Sequence, residues 1–110
     1  NIRLLPGAKV VLLTKNNLEL EYRSGLNRLD DAEPGSLLVI GYDSIFVSNE
    51  VEINGFLFAV ETIRYNYRAS HTGAANAKTV HLDNEATVTY AASSISLLPA
   101  EGMYKIFIID

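Results

Sequence analysis

Period-two alternation and short apolar runs recur along the whole chain, and helical spacing is almost absent. In "LELEYR" (18–23), Leu18, Leu20 and Tyr22 share one face, and Glu19 and Glu21 the other. Similar short runs recur as "AKVVLLT" (8–14), "LLVIG" (37–41), "IFV" (45–47), "TVHL" (79–82), "ATVTYA" (86–91), "ISLL" (95–98) and "MYKIFIID" (103–110). Gly, Pro, Asn and Asp separate them. About eight or nine short strands without a helix must find their hydrogen bonds in sheets. The expected fold is all-β: an antiparallel β-sandwich of jelly-roll type.

Three hairpin registers support that expectation. A loop at Lys15, Asn16 and Asn17 sets Thr14 opposite Leu18, Leu12 opposite Leu20 and Val10 opposite Tyr22. Asn54-Gly55 inside "VEINGFLF" (51–58) reads as a type I′ turn that pairs Ile53 with Phe56 and Val51 with Phe58. A loop at Asp83, Asn84 and Glu85 sets Leu82 against Ala86 and Val80 against Val88. The predicted core is Leu12, Leu20, Tyr22, Ile53, Phe56, Phe58, Val80, Leu82, Val88, Ile106 and Ile108. Beyond Phe58 the inward set switches from even to odd positions, which predicts a β-bulge near Glu61 or Thr62. The small-residue stretch "SHTGAANAK" (70–78) reads as a slack connector, or as a loop that becomes ordered against a partner.

The 110 residues make one domain, 1–110, with 1–6 as a possible extended N-terminal arm. No cysteine is present, which excludes a disulfide framework, a thiol nucleophile and thiolate-held metal. The apolar runs are too short for a membrane-spanning helix, and no stretch has the form of a signal peptide. Net charge is −4, and the nine Lys and Arg residues are scattered. A nucleic-acid partner is not expected from that balance, and neither is a membrane.

Candidate chemistry is sparse. His81 and Asp83 form an H-x-D pair without a clear third ligand except Glu85. Asp30, Asp31 and Glu33 cluster in a long loop, but their spacing matches no calcium loop. No serine lies in a nucleophile elbow, and no glycine-rich phosphate loop is present. No catalytic residue, cofactor or metal is expected.

Interface candidates are better marked. In "RYNYR" (64–68), Arg64, Asn66 and Arg68 share one strand face, and Tyr65 and Tyr67 share the other. Tyr and Arg are enriched where proteins bind one another, although two core tyrosines and two solvated arginines would look the same. Val11 and Leu13 fall opposite glutamates in the hairpin register, so the first strand requires cover on both faces. Ile2, Leu4 and Leu5 precede Pro6 outside any hairpin and suit an arm laid on a neighbour. With His71 from the slack stretch, the expected interface is Ile2, Leu4, Leu5, Val11, Leu13, Arg64, Tyr65, Tyr67, Arg68 and His71.

A small, acidic, cysteine-free all-β chain with apolar strand faces and Ala-rich loops resembles the decoration proteins of tailed-bacteriophage capsids. The resemblance covers the whole chain as a type, without a motif that maps residue by residue. It implies a structural, non-enzymatic protein on the outer surface of a virion. Such a protein would clamp neighbouring shell subunits and would be expected to form a homo-oligomer. The chain is similar in architecture to carbohydrate-binding β-sandwich modules as well, which makes a sugar-binding or adhesin-type domain the alternative.

Overall fold

In a computed structural model of the chain, residues 2–5, 7–27, 36–91 and 105–109 are described. They contain eleven strands. These are β1 (Val10–Thr14), β2 (Leu18–Leu20), β3 (Gly25–Leu26), β4 (Leu37–Gly41), β5 (Ile45–Val47), β6 (Glu52–Ala59), β7 (Thr62–Tyr65), β8 (Ser70–Asn76), β9 (Thr79–Leu82), β10 (Thr87–Tyr90) and β11 (Lys105–Ile109). Every strand pairing among them is parallel. The expected antiparallel sandwich is therefore wrong. The fold is a parallel β-solenoid, in which the chain winds and each strand pairs with its counterpart one turn later.

The spacing of register partners gives the winding. Val10 lies beside Leu37, 27 residues on, and Leu38 beside Phe56, 18 on. Glu52 lies beside Ser70, again 18, and Ser70 beside Thr87, 17. The long first turn carries the insertion that includes residues 28–35, which lie outside the described residues along with Asp30, Asp31 and Glu33. One sheet has the order β10-β8-β6-β4-β1-β11, with β3 beside β6, and the other has the order β2-β5-β7-β9.

Each turn passes three faces. The first is built from β1, β4 and the later halves of β6 and β8, and the second from β2, β5, β7 and β9. The third is built from β3, β10 and the earlier halves of β6 and β8. Inward residues stack in columns. Leu12, Val39 and Leu57 form one buried column, and Leu20, Val47 and Tyr65 another. Leu26, Ile53 and His71 form a third.

None of the three hairpins forms. β1 and β2, like β9 and β10, lie on different faces, so the residues between them turn a corner of the winding. Glu61 lies at such a corner between β6 and β7; it is not a bulge. Asn54-Gly55 lies inside β6, which continues through it as one strand and does not reverse. The stretch 70–76 is strand β8, not a connector.

Of the predicted core, Leu12, Leu20 and Ile53 are buried, and Phe56 and Val88 are half-buried. Tyr22 and Phe58 are exposed instead. Val80 and Leu82 point along core columns but are exposed, because they lie in the last described turn. The side chains of Ile106 and Ile108 lie outside the described residues.

Glycine allows two strands to cross a corner without breaking. A Cβ on Gly73, whose φ is +145°, would lie 1.9 Å from the Gly55 carbonyl oxygen. Only glycine fits there. A Cβ on Gly55 would come within 3.0 Å of the Leu37 carbonyl oxygen. Beside this corner Asn27, in the left-handed region at φ 55°, donates from Nδ2 to the Asn54 carbonyl at 3.3 Å. Asn54 Nδ2 donates back to the Asn27 carbonyl at 3.0 Å. This reciprocal pair ties the first turn to the second.

Candidate functional site

The two most buried polar rings among the described residues form one network. Tyr65 OH lies 2.6 Å from His71 Nδ1, and His71 Nε2 lies 2.7 Å from the Gly55 carbonyl oxygen. The rings stack with centroids 5.7 Å apart. A carbonyl can only accept, so Nε2 carries the proton and Nδ1 accepts from the tyrosine hydroxyl. Both imidazole nitrogens are thus satisfied in the neutral form. Burial pushes the His71 pKa down to about 4 and pushes the Tyr65 hydroxyl up. The network sits in columns otherwise filled by Leu, Val and Ile, and it closes without a vacancy for a substrate. It is a polar core clamp, not a reactive centre.

A second array lies on the surface. Arg23, Glu50, Arg68 and Glu85 occupy the same point of successive turns, and all four have φ between 54° and 60°. Left-handed backbone is uncommon for such residues, and stacking holds it. Arg23 N donates to Asn49 O at 3.1 Å, Glu50 N to Tyr67 O at 2.9 Å and Arg68 N to Asn84 O at 3.2 Å. The charges alternate along the column. Arg23 Nε meets Glu50 at 2.9 Å, and Arg68 Nε meets Glu85 at 2.7 Å. The hydrogen bond from Arg23 holds the Glu50 carboxyl below its usual range, with a smaller electrostatic contribution from Arg68. The hydrogen bond from Arg68 does the same for Glu85. The preceding residues alternate too, as Tyr22, Asn49, Tyr67 and Asn84, and the Arg23 and Arg68 guanidinium carbons lie 5.0 and 4.9 Å from the Tyr22 and Tyr67 ring centroids. This period was present in the sequence as Tyr-Arg, Asn-Glu, Tyr-Arg, Asn-Glu, and a search for internal repeats would have found it.

Beside this ladder a shallow, open groove is lined by Glu19, Glu21, Tyr22, Ser48, Asn49 and Asn66. Nearby, Asp83 accepts from His81 at 2.8 Å and from Arg64 at 3.3 Å, and these two partners, His81 first, lower its pKa. No group of three or more His, Cys, Asp or Glu side chains that could hold a metal ion occurs among the described residues. Among the described residues no helix is long and apolar enough to cross a membrane.

The third feature is the C-terminal end of the winding. In the last described turn Val80, Leu82 and Tyr90 are 41%, 44% and 61% exposed. The counterparts of Val80 and Leu82 one turn earlier on the second face, Ile63 and Tyr65, are fully buried. The edges of β9 and β10 flank this apolar end.

The structure divides the expected interface residues into two groups. Tyr65 and His71 are buried and bonded to each other, so they are withdrawn from the surface. Val11 is buried and Leu13 half-buried, and their strand β1 lies between β4 and β11 of the same chain. Ile2 and Leu5 are exposed and Leu4 is half-buried, while Ile2 makes a parallel bridge to Leu26. Tyr67, Arg64 and Arg68 are exposed, the two arginines bound to Asp83 and Glu85. Sequence reasoning missed the apolar end, because a residue's place in a last turn is not visible without the winding.

Comparison with protein-family models, with curated proteins and with solved structures returns no match.

Proposed function

We propose that this chain is a structural, non-enzymatic module that associates with protein subunits through the ends of its winding. The exposed end formed by Val80, Leu82 and Tyr90 carries the reading. A solenoid buries each turn against the next, so its last turn leaves core-column residues in water unless something covers them. Apolar residues that continue a core column, flanked by β9 and β10 as the terminal strands among the described residues, suit a protein partner. The phage-capsid resemblance was drawn from a sandwich architecture and does not carry this proposal. A virion shell is the setting it implies.

Sedimentation velocity of the full chain, from micromolar to millimolar concentration, tests the reading. Self-association is expected, and Val80→Glu with Leu82→Glu should abolish it while circular dichroism stays unchanged. A chain that remains monomeric throughout would count against it. The groove around Tyr22 favours a second reading, a weak glycan site, since a tyrosine ring beside carboxylates and amides suits a sugar face and its hydroxyls. Saturable binding on a glycan array, lost in Tyr22→Ala, would establish that reading instead.

A further inference from the structure

The C-terminal strand does not end where the winding ends. β10 and Ala91 lie at the far end, where Ala91 N donates to Gly73 O at 2.8 Å. β11 lies at the opposite end, parallel to the outer edge of β1, with Lys105 beside Val10 and Ile109 beside Thr14. In sheet order, the path from β10 back to β11 passes β8, β6, β4 and β1. That is five strand spacings, or about 24 Å at about 4.8 Å each. The fourteen residue steps from Ala91 to Lys105 can span up to about 48 Å. The return path is therefore within reach, and so is an equal distance in the other direction, away from the molecule.

We propose that β11 is an exchangeable strand, which closes on its own β1 in the monomer and pairs with β1 of a second copy in the assembly. This rests on the reading of the chain as an assembly module. Four observations carry it. Strand direction is the first: β11 runs parallel to every other strand of its sheet, so it has the polarity of a further turn added after β10. Donated forward, it adds to the β1 edge of the next copy in the register it now makes at home. The second is energetic. The backbone hydrogen bonds are the same in either state, so exchange costs mainly the freedom lost on association. The third is the apolar end at Val80, Leu82 and Tyr90, which a neighbour would cover and which offsets that cost. The fourth is charge. The ladder ends in Glu85 at the C-terminal end and begins with Arg23 at the N-terminal end. Unlike ends attract and like ends repel, which favours head-to-tail stacking over two C-terminal ends meeting. Such an interface is heterologous, so it builds rings or filaments.

The absence of cysteine makes the test direct. Leu13 and Ile108 are register partners on adjacent strands, within disulfide reach. Two full-length variants, Leu13→Cys and Ile108→Cys, are mixed at high concentration, oxidised and resolved by mass. Exchange predicts a 13–108 disulfide between the two chains, with a yield that rises with protein concentration. The double variant should give an intramolecular link when dilute and linked multimers when concentrated. An intramolecular link at every concentration, with no mixed disulfide, overturns the proposal, and so does the absence of any 13–108 link. If the chain self-associates by sedimentation yet forms no mixed disulfide, exchange fails while the assembly reading stands.

Discussion

His71 gives the fold a calculable weakness to acid. The imidazole is buried and neutral, with Nε2–H donated to the Gly55 carbonyl and Nδ1 accepting from Tyr65. Its pKa falls from an ordinary 6.5 to about 4. A proton on Nδ1 would confront the tyrosine hydroxyl with a second donor, in a buried site that solvates the charge poorly. The unfolded chain binds that proton near pH 6.5 and the folded chain only near pH 4. The stability tied to the neutral ring is therefore complete above pH 6.5 and is lost as pH falls from 6.5 to 4. A difference of 2.5 pKa units corresponds to about 3 kcal/mol at about 1.4 kcal/mol per unit. That is a large share of the total for a domain of this size. The assay is urea denaturation of the wild type and of His71→Leu at pH 7, 5.5 and 4. Leucine suits the column, where Leu26 and Ile53 are the neighbouring turns. The variant should be less stable at pH 7, since Tyr65 OH and the Gly55 carbonyl lose their partner, and its stability should vary less with pH. The difference between the two proteins should shrink by about 3 kcal/mol towards pH 4. Parallel curves for the two proteins would refute the argument, because other titrating groups act on both alike.

Further outcomes follow from the same geometry. Gly73→Ala should cost on the order of 3 kcal/mol in chemical denaturation, since its Cβ meets the Gly55 carbonyl, whereas Gly7→Ala, with nothing within 4 Å, should cost about 1 kcal/mol for its φ of +80°. Asn27→Ala should cost about 1–2 kcal/mol by the same measure, through the lost bond to Asn54 O and a left-handed backbone that alanine tolerates less well. Arg68→Glu places three carboxylates in succession with Glu50 and Glu85, and should lower the melting temperature by an amount that added salt partly restores.

Most strands were legible in the sequence, β3 and β8 apart, and their partners were not. Alternation in 79–82 and the short apolar runs at 37–41 and 45–47 mark extended segments, whatever lies beside them. The same alternation fits a hairpin neighbour and a neighbour one turn away. Asn54-Gly55 illustrates the competition. The pair favours a tight turn locally, but here Asn54 bonds Asn27 of the previous turn and Gly55 lets the strand cross a corner. The decisive signal was the recurrence of Tyr22-Arg23 at Tyr67-Arg68 and of Asn49-Glu50 at Asn84-Glu85. The unequal turns of 27, 18 and 17 residues blur that period. Tyr65 and His71 look like a binding motif by type, and only the winding shows that they stack between aliphatic columns.

The parallel winding is the claim on which the rest depends, and nuclear Overhauser contacts between strands test it most directly. The account predicts that Phe46 contacts Arg64 and that Arg64 contacts His81, both in the parallel pattern, at separations of 18 and 17 residues. An Hα–Hα contact between Glu52 and Leu57, or between His81 and Thr87, the close non-hydrogen-bonded pairs of the two hairpin registers, is the mark of a hairpin and would contradict it.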